Sequence, residues 1–164
     1  MKYKGVNLIP FLMTKKEAKK NARYGHLSRP VWNKGFLYAM NGAIAIRIEA
    51  KKKPDHLPLS DISDFPTVRK YTYIARQLAW YDELDHSTAD PGLNIEDFAA
   101  IYAVSNLPGY QIEAKYVELF KKLLECHIWP GAISRQVVSV PTLAFRFRVN
   151  KTLHAHGVVS VAST

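Results

Sequence analysis

The amino-acid sequence predicts one α+β domain, and three observations predict it. The first is a hairpin in which FLYAM and AIAIRI flank Asn41-Gly42. In its second arm Ile44, Ile46 and Ile48 alternate with Ala43, Ala45 and Arg47, the period of a strand with one buried face. The second is a helix in AKYVELFKKLLE, where Tyr116, Val117, Phe120, Leu123 and Leu124 form an apolar stripe and Lys115, Glu118, Lys121, Lys122 and Glu125 face away. The third is a run of three strand-like segments after Pro130-Gly131: AISRQVVSV, TLAFRFRV and LHAHGVVSVA. With 164 residues, 48% of them apolar, the chain is long enough for one core and too apolar for disorder.

The elements follow in order. Residues 2–9 read as a strand ended by Pro10. A basic helix, TKKEAKKNAR, comes next. Thr14 is a good N-cap, with Glu17 three residues on, and Ala18 and Ala22 share one face. Gly25 is the expected stop. The Asn41-Gly42 hairpin suits a type I′ turn, because both residues tolerate positive φ. Lys51-Lys52-Lys53-Pro54 ends its second strand, and residues 54–70, with three prolines, read as a loop. Residues 71–84 read as a helix through Tyr71, Ile74, Leu78 and Tyr81. Residues 82–97 read as an acidic loop, and 98–104 as a short apolar run. The helix and strands of the last third close the chain. Both ends thus share a β-α-β-β plan, separated by a 50–110 insertion of mixed loop and helix.

The net charge of +9 is unevenly spread. Residues 1–34 hold nine cations and one acid, residues 82–97 hold six acids and no cation, and residues 126–164 hold four cations and no acid. A polarised basic chain favours polyanions, and five cations in nine residues of the first helix suggest a surface for phosphates. Such cations neutralise backbone charge without reading bases. The single cysteine, Cys126, allows no internal disulfide and fits a reducing, cytoplasmic compartment. The N-terminal apolar run is too short to span a bilayer, and no membrane partner is expected.

Enzyme signatures such as a phosphate-binding glycine loop or a serine nucleophile elbow are missing from the sequence, so the chain is read as a non-enzyme needing no cofactor. Cys126 and His127 are neighbours, a spacing that rarely gives nucleophile–base geometry. His154 and His156 lie two apart on an expected strand and share a face, but no third ligand is near, and no metal is expected. The cluster Asp82, Glu83, Asp85, His86 and Asp90 lacks the spacing of a calcium loop.

Taken together, these segments resemble the β-type DNA sliding clamps of bacteria and phages, the polymerase processivity factors. Ala39-Met40-Asn41-Gly42-Ala43-Ile44-Ala45 resembles the clamp hairpin that reads A-T-D-G-H-R-L-A, and Ser28-Arg29-Pro30 resembles the R-P upstream of it. QIEAKYVELFKKLLE resembles the opening of the second clamp helix, and LAFRFRVNKTLHAHGVVSVAS the closing hairpin. The resemblance covers residues 1–49 and 111–163 and implies a single clamp-like domain over 1–164, with two helices on one side of an antiparallel sheet. It implies that Lys15, Lys16, Lys19, Lys20 and Arg23 from the first helix, and Lys115, Lys121 and Lys122 from the second, contact duplex DNA without sequence preference. Clamps of this type carry three such domains per chain, so a ring here implies a homo-oligomer closed head to tail, working with a DNA polymerase or other replication proteins in a bacterial or phage-infected cell. The alternative is a clamp-fold module that never closes a ring and binds replication proteins. The closing strand, which in the family helps form a pocket for partner peptides, here ends Val158-Val159-Ser160-Val161.

Overall fold

The apolar side chains of the central strands fall on both faces of one sheet: Leu37, Ala39, Ile44, Ile46 and Ile48 in a main core, and Tyr38, Met40, Ala45 and Val158 in a smaller cluster with Leu27 and Val31. The structure, a computed structural model, describes residues 1–20, 22–64, 92–98, 112–129 and 142–160. The helix expected over residues 71–84, the acidic stretch up to residue 91, the apolar run beyond Phe98 and the strand expected over residues 132–140 lie outside the described residues.

The chain opens with β1 (Lys2–Tyr3) and β2 (Val6–Asn7), which pair as a separate ribbon. One strand over 2–9 was expected; the chain instead reverses at Lys4-Gly5, both at positive φ (48° and 83°). That is the signature of a type I′ turn, with a lysine where the left-handed region costs roughly 1–2 kcal/mol. A 3₁₀ turn, Ile9–Phe11, then drops Phe11 into the core. The helix α1 (Lys15–Lys20) follows, and residues 22–28 continue as 3₁₀ helix through the expected stop at Gly25.

The main sheet begins with β3 (Val31–Asn33), β4 (Phe36–Met40) and β5 (Ile44–Glu49). Lys34-Gly35 repeats the positive-φ pair of the first ribbon (48° and 85°). The β4–β5 hairpin forms as expected, with a different turn. Gly42 has positive φ (94°) and Asn41 does not, so the arrangement is that of a II′ turn centred on Gly42-Ala43. The Asn41 side chain explains the change. Its Oδ1 accepts from the backbone N–H groups of Ala43 (2.9 Å) and Ile44 (3.0 Å), which holds Asn41 outside the turn centre.

The sheet is completed by β6 (Leu93–Asn94), β7 (His127–Trp129), β8 (Thr142–Arg148) and β9 (His154–Ser160). Its order is β3-β4-β5-β9-β8-β7-β6, antiparallel throughout. Among the described residues the first end reads two strands, helix and three strands, and the last end strand, helix and three strands, against the expected β-α-β-β plan. The two meanders join where β5 pairs with β9. The insertion starts by docking on the free side of β3: Ser60 bridges Val31 in parallel, its N–H donates to Pro30 O (2.8 Å) and its hydroxyl to His26 O (2.7 Å).

One face of the sheet carries the main core. The helix α2 (Ala114–Lys122) packs there through Tyr116 and Phe120, as does Phe98 of the helical residues 95–98. The rings of Phe120 and Phe145 lie 4.7 Å apart, and Phe147 stacks on Phe11 at 6.1 Å. Two helices on one side were expected from α1 and α2; only α2 packs so. The helix α1 buries no residue, because it has no large apolar side chain to bury, and the residues after it pack on the opposite face through Leu27. The helix α2 also ends earlier than its apolar stripe: Leu123 is extended (φ −87°, ψ 141°), and Leu124 is left 51% exposed.

Directly opposed pairs run across the core face as a row, Ala39, Ile46, Gly157, Phe145, Ile128 and Leu93. Only glycine fits in its middle. A Cβ at Gly157 would overlap the Phe145 ring and lie 2.7 Å from Ala45 O. Gly157→Ala is expected to lower stability by about 1–3 kcal/mol in urea unfolding, through overpacking. Gly25→Ala, where a Cβ meets nothing within 4 Å, serves as control and should leave the midpoint in place. Equal midpoints for the two variants would overturn this account of the sheet centre.

Candidate nucleic-acid interface

The cations expected to meet phosphate divide into two sets that the structure treats differently. On α1 the Thr14 hydroxyl accepts from the Glu17 N–H (3.1 Å), so the expected cap is present. Lys19 and Lys20 fall in the last turn, where the helix dipole favours positive charge. Lys15, Lys16, Lys19 and Lys20 are all exposed, and none forms an ion pair with another described residue. Lys15 and Lys19, and Lys16 and Lys20, stand four apart, and like charges at that spacing destabilise an isolated helix by about 0.2–0.5 kcal/mol per pair. An anion lying along α1 relieves that repulsion. The side chain of Arg23 lies outside the described residues.

On α2 the lysines are partly compensated. Lys115 Nζ is 3.5 Å from Glu113 and 5.0 Å from the Tyr116 ring centre. Its pKa is raised, first by the Tyr116 phenol and less by Glu113. Lys121 pairs with Glu118 at 3.1 Å, one turn away. Lys122 has no ion pair among the described residues, and it shares with Lys115 the wall of a groove beside the β1–β2 turn. Among the described elements, α1 makes its extensive contacts with residues 22–28 rather than with α2. Lys115 and Lys122 are thus brought together, while the lysines of α1 form a separate surface.

A third set was not foreseen. On the face opposite the core, directly opposed pairs place Tyr38, Arg47, His156, Arg146 and His127 in one row. Arg47 is only 7% exposed, with its guanidinium 4.5 Å from the Phe36 ring; burial lowers its pKa, and the Tyr38 phenol acts in the other direction. The Arg146 guanidinium lies 5.5 Å from the Trp129 ring. Arg148, next along β8 on this face, pairs with Glu125 at 3.3 Å. The polar side of the alternation in β5, β8 and β9 was readable from the sequence. The register that aligns it was not.

The remaining candidates resolve simply. His154 and His156 share a face, as their spacing requires, and the arginines beside them make that face unfavourable for a metal cation. No group of three or more potential ligands occurs among the described residues. Asp82, Glu83, Asp85, His86 and Asp90 lie outside them. No helix among the described residues is long and apolar enough to cross a membrane. Cys126 belongs to the core, whereas His127 sits in the row on the opposite face, so the two do not form a nucleophile–base pair. Burial pushes the Cys126 thiol up to about 12.

That thiol is expected to resist iodoacetamide at pH 8 in the native protein and to react once the chain is unfolded, read by intact mass. Because the folded thiol holds its proton more tightly, stability is unaffected below its ordinary value of 9.0 and falls as pH rises toward 12. Rapid alkylation of the native protein would contradict the burial.

Comparison with family models, with curated proteins and with solved structures finds no match to this chain.

Proposed function

We propose that this chain is a sequence-independent DNA-binding protein of clamp-like build, a processivity factor that keeps a DNA polymerase on duplex DNA. The observation that carries the reading is α1: four exposed lysines on six residues, with no ion pair among the described residues. Such a surface gains most from phosphates, because each contact releases a condensed counterion and no internal partner has to be displaced. The two similar halves joined across β5 and β9 are compatible with the clamp resemblance, which covers the same two ends of the chain. DNA contact is assigned to Lys15, Lys16, Lys19 and Lys20 first. Lys115, Lys121 and Lys122 come second, since two of them already face a glutamate.

One observation favours the alternative, a clamp-fold module that binds replication proteins without encircling DNA. A homo-oligomeric ring needs edge strands that pair between neighbours. The β3 edge already carries Ser60, and β6, the other end of the sheet among the described residues, offers two residues.

Binding to a short duplex across a salt series tests the first assignment. Log Kobs falls with log salt by about 0.9 per phosphate neutralised. Replacing Lys15, Lys16, Lys19 and Lys20 together by Gln is expected to flatten that slope by about 3 to 4. Lys115→Gln with Lys121→Gln is expected to flatten it by about 1 or less. An unchanged slope in the α1 variant would sink the assignment. Retention on nicked circles but not on linear duplex identifies a ring, whereas equal loss from both, with a monomeric mass, identifies the module.

A further inference from the structure

The groove between the β1–β2 turn and α2 combines two chemistries that a DNA surface does not need together. Its rim carries Lys4 of the β1–β2 turn and Lys115 and Lys122 of α2, Lys115 standing 3.5 Å from Glu113. Its floor is apolar, formed by Val6, Leu119, Leu123 and Phe147, and Leu124 extends it as an exposed wall. The cavity is about 630 Å³, within the range of clefts that enclose a ligand. The one acid on the rim is Glu118, and Lys121 holds it at 3.1 Å.

From this arrangement we infer that the groove docks an extended acidic peptide of a partner protein, anchored by large apolar side chains. Charge complementarity names the occupant. Lys115 and Lys122 are seven residues apart on one helix, about 10 Å along its axis. A single compact anion does not span that distance. An extended peptide rises about 3.3 Å per residue and repeats its face every second residue, so carboxylates four residues apart, about 13 Å, lie on one face within reach of both lysine side chains. Alternate side chains of the same strand then point into the floor. A nucleic-acid backbone also has charge at such spacing, but it brings nothing apolar to cover Leu119, Leu123 and Leu124.

Lys4 occupies a left-handed turn position (φ 48°) that asparagine or glycine fills with less strain. Lys34 fills the matching position of the β3–β4 turn at the same φ, so Lys4 belongs to the groove by its place in the lining and not by its turn. The groove lies at the β8–β9 turn, remote from the end of β9, and the inference does not depend on DNA binding by α1.

The test uses the full chain and a short labelled peptide of Glu and Asp carrying one Leu and one Phe. Fluorescence anisotropy is expected to show saturable binding. The same peptide with Ala for Leu and Phe should bind at least about tenfold more weakly, as expected from losing two buried side chains. Lys4→Asn and Lys122→Gln should each weaken binding about three- to fivefold, the upper range for one exposed ion pair. Lys4→Asn should not lower the melting temperature, because it relieves the turn. Lys34→Asn, in the matching turn of the β3–β4 hairpin, should leave peptide affinity unchanged. Failure of the peptide to bind, or equal affinity for the Lys4, Lys122 and Lys34 variants, overturns the inference. So does loss of duplex DNA binding in the Lys4 and Lys122 variants with peptide binding intact, which would give the groove to nucleic acid. Since the lysines of α1 are untouched throughout, their assignment to DNA stands or falls separately; that of Lys115 and Lys122 does not.

Discussion

The missing side chain at Gly157 is the constraint on which the rest of the sheet depends. Ile46 opposes it on β5 and Phe145 on β8, so the residue sits where the two meanders meet. The Phe145 ring occupies the space a Cβ would fill. From there the ring reaches Phe120 of α2, and Phe147 beside it reaches Phe11. The placement of α2 follows from that aromatic series. So does the hydrogen bond by which Asn41 Nδ2 reaches the Tyr116 hydroxyl (3.2 Å), tying the hairpin turn to the helix.

Charge is distributed according to what lies beneath it. Two of the α2 lysines, Lys115 and Lys121, have glutamates within reach. Arg47 and Arg146 on the opposite sheet face lie over aromatic rings, a contact that suits a weakly hydrated guanidinium. The lysines of α1 have neither arrangement. Six residues are too few for a helix to persist alone in water. The helix α1 is held by the Thr14 cap, by the Met13 N–H donating to Leu27 O (3.0 Å) and by the flanking core residues Phe11 and Leu12. Those anchors let a short segment carry a concentration of like charge that its own propensity does not support.

Much of this was legible in the sequence where a pattern ran long enough to show a period. Ile44, Ile46 and Ile48 announced both a strand and its buried face, and Tyr116 with Phe120 announced the seat of α2. The strands β3 and β7 have three residues each, too few for alternation to register. The Lys4-Gly5 and Lys34-Gly35 turns were missed because lysine is not a turn-forming residue, whereas Asn41-Gly42 was seen and given the wrong turn type. For the site, exposure of the α1 lysines followed from their lack of apolar neighbours, and the Glu118–Lys121 pair follows from one-turn spacing. The Arg47–His156–Arg146 row and the groove were not legible. Both bring together residues far apart in the chain, and register across β5, β9 and β8 decides who meets whom.

The strand order also governs how the chain comes together. The strand β5 is complete by residue 49, yet its partner β9 begins at residue 154. The β3–β4–β5 meander can form early from local contacts, with β5 as an open edge bearing three isoleucines on one side. Closing so long a loop is slow compared with forming a hairpin. Through synthesis of the intervening residues, that edge is a template for any extended chain nearby. Closure of the β5 edge therefore waits on β9, and the interval before β9 emerges is when that edge is most exposed to misassociation.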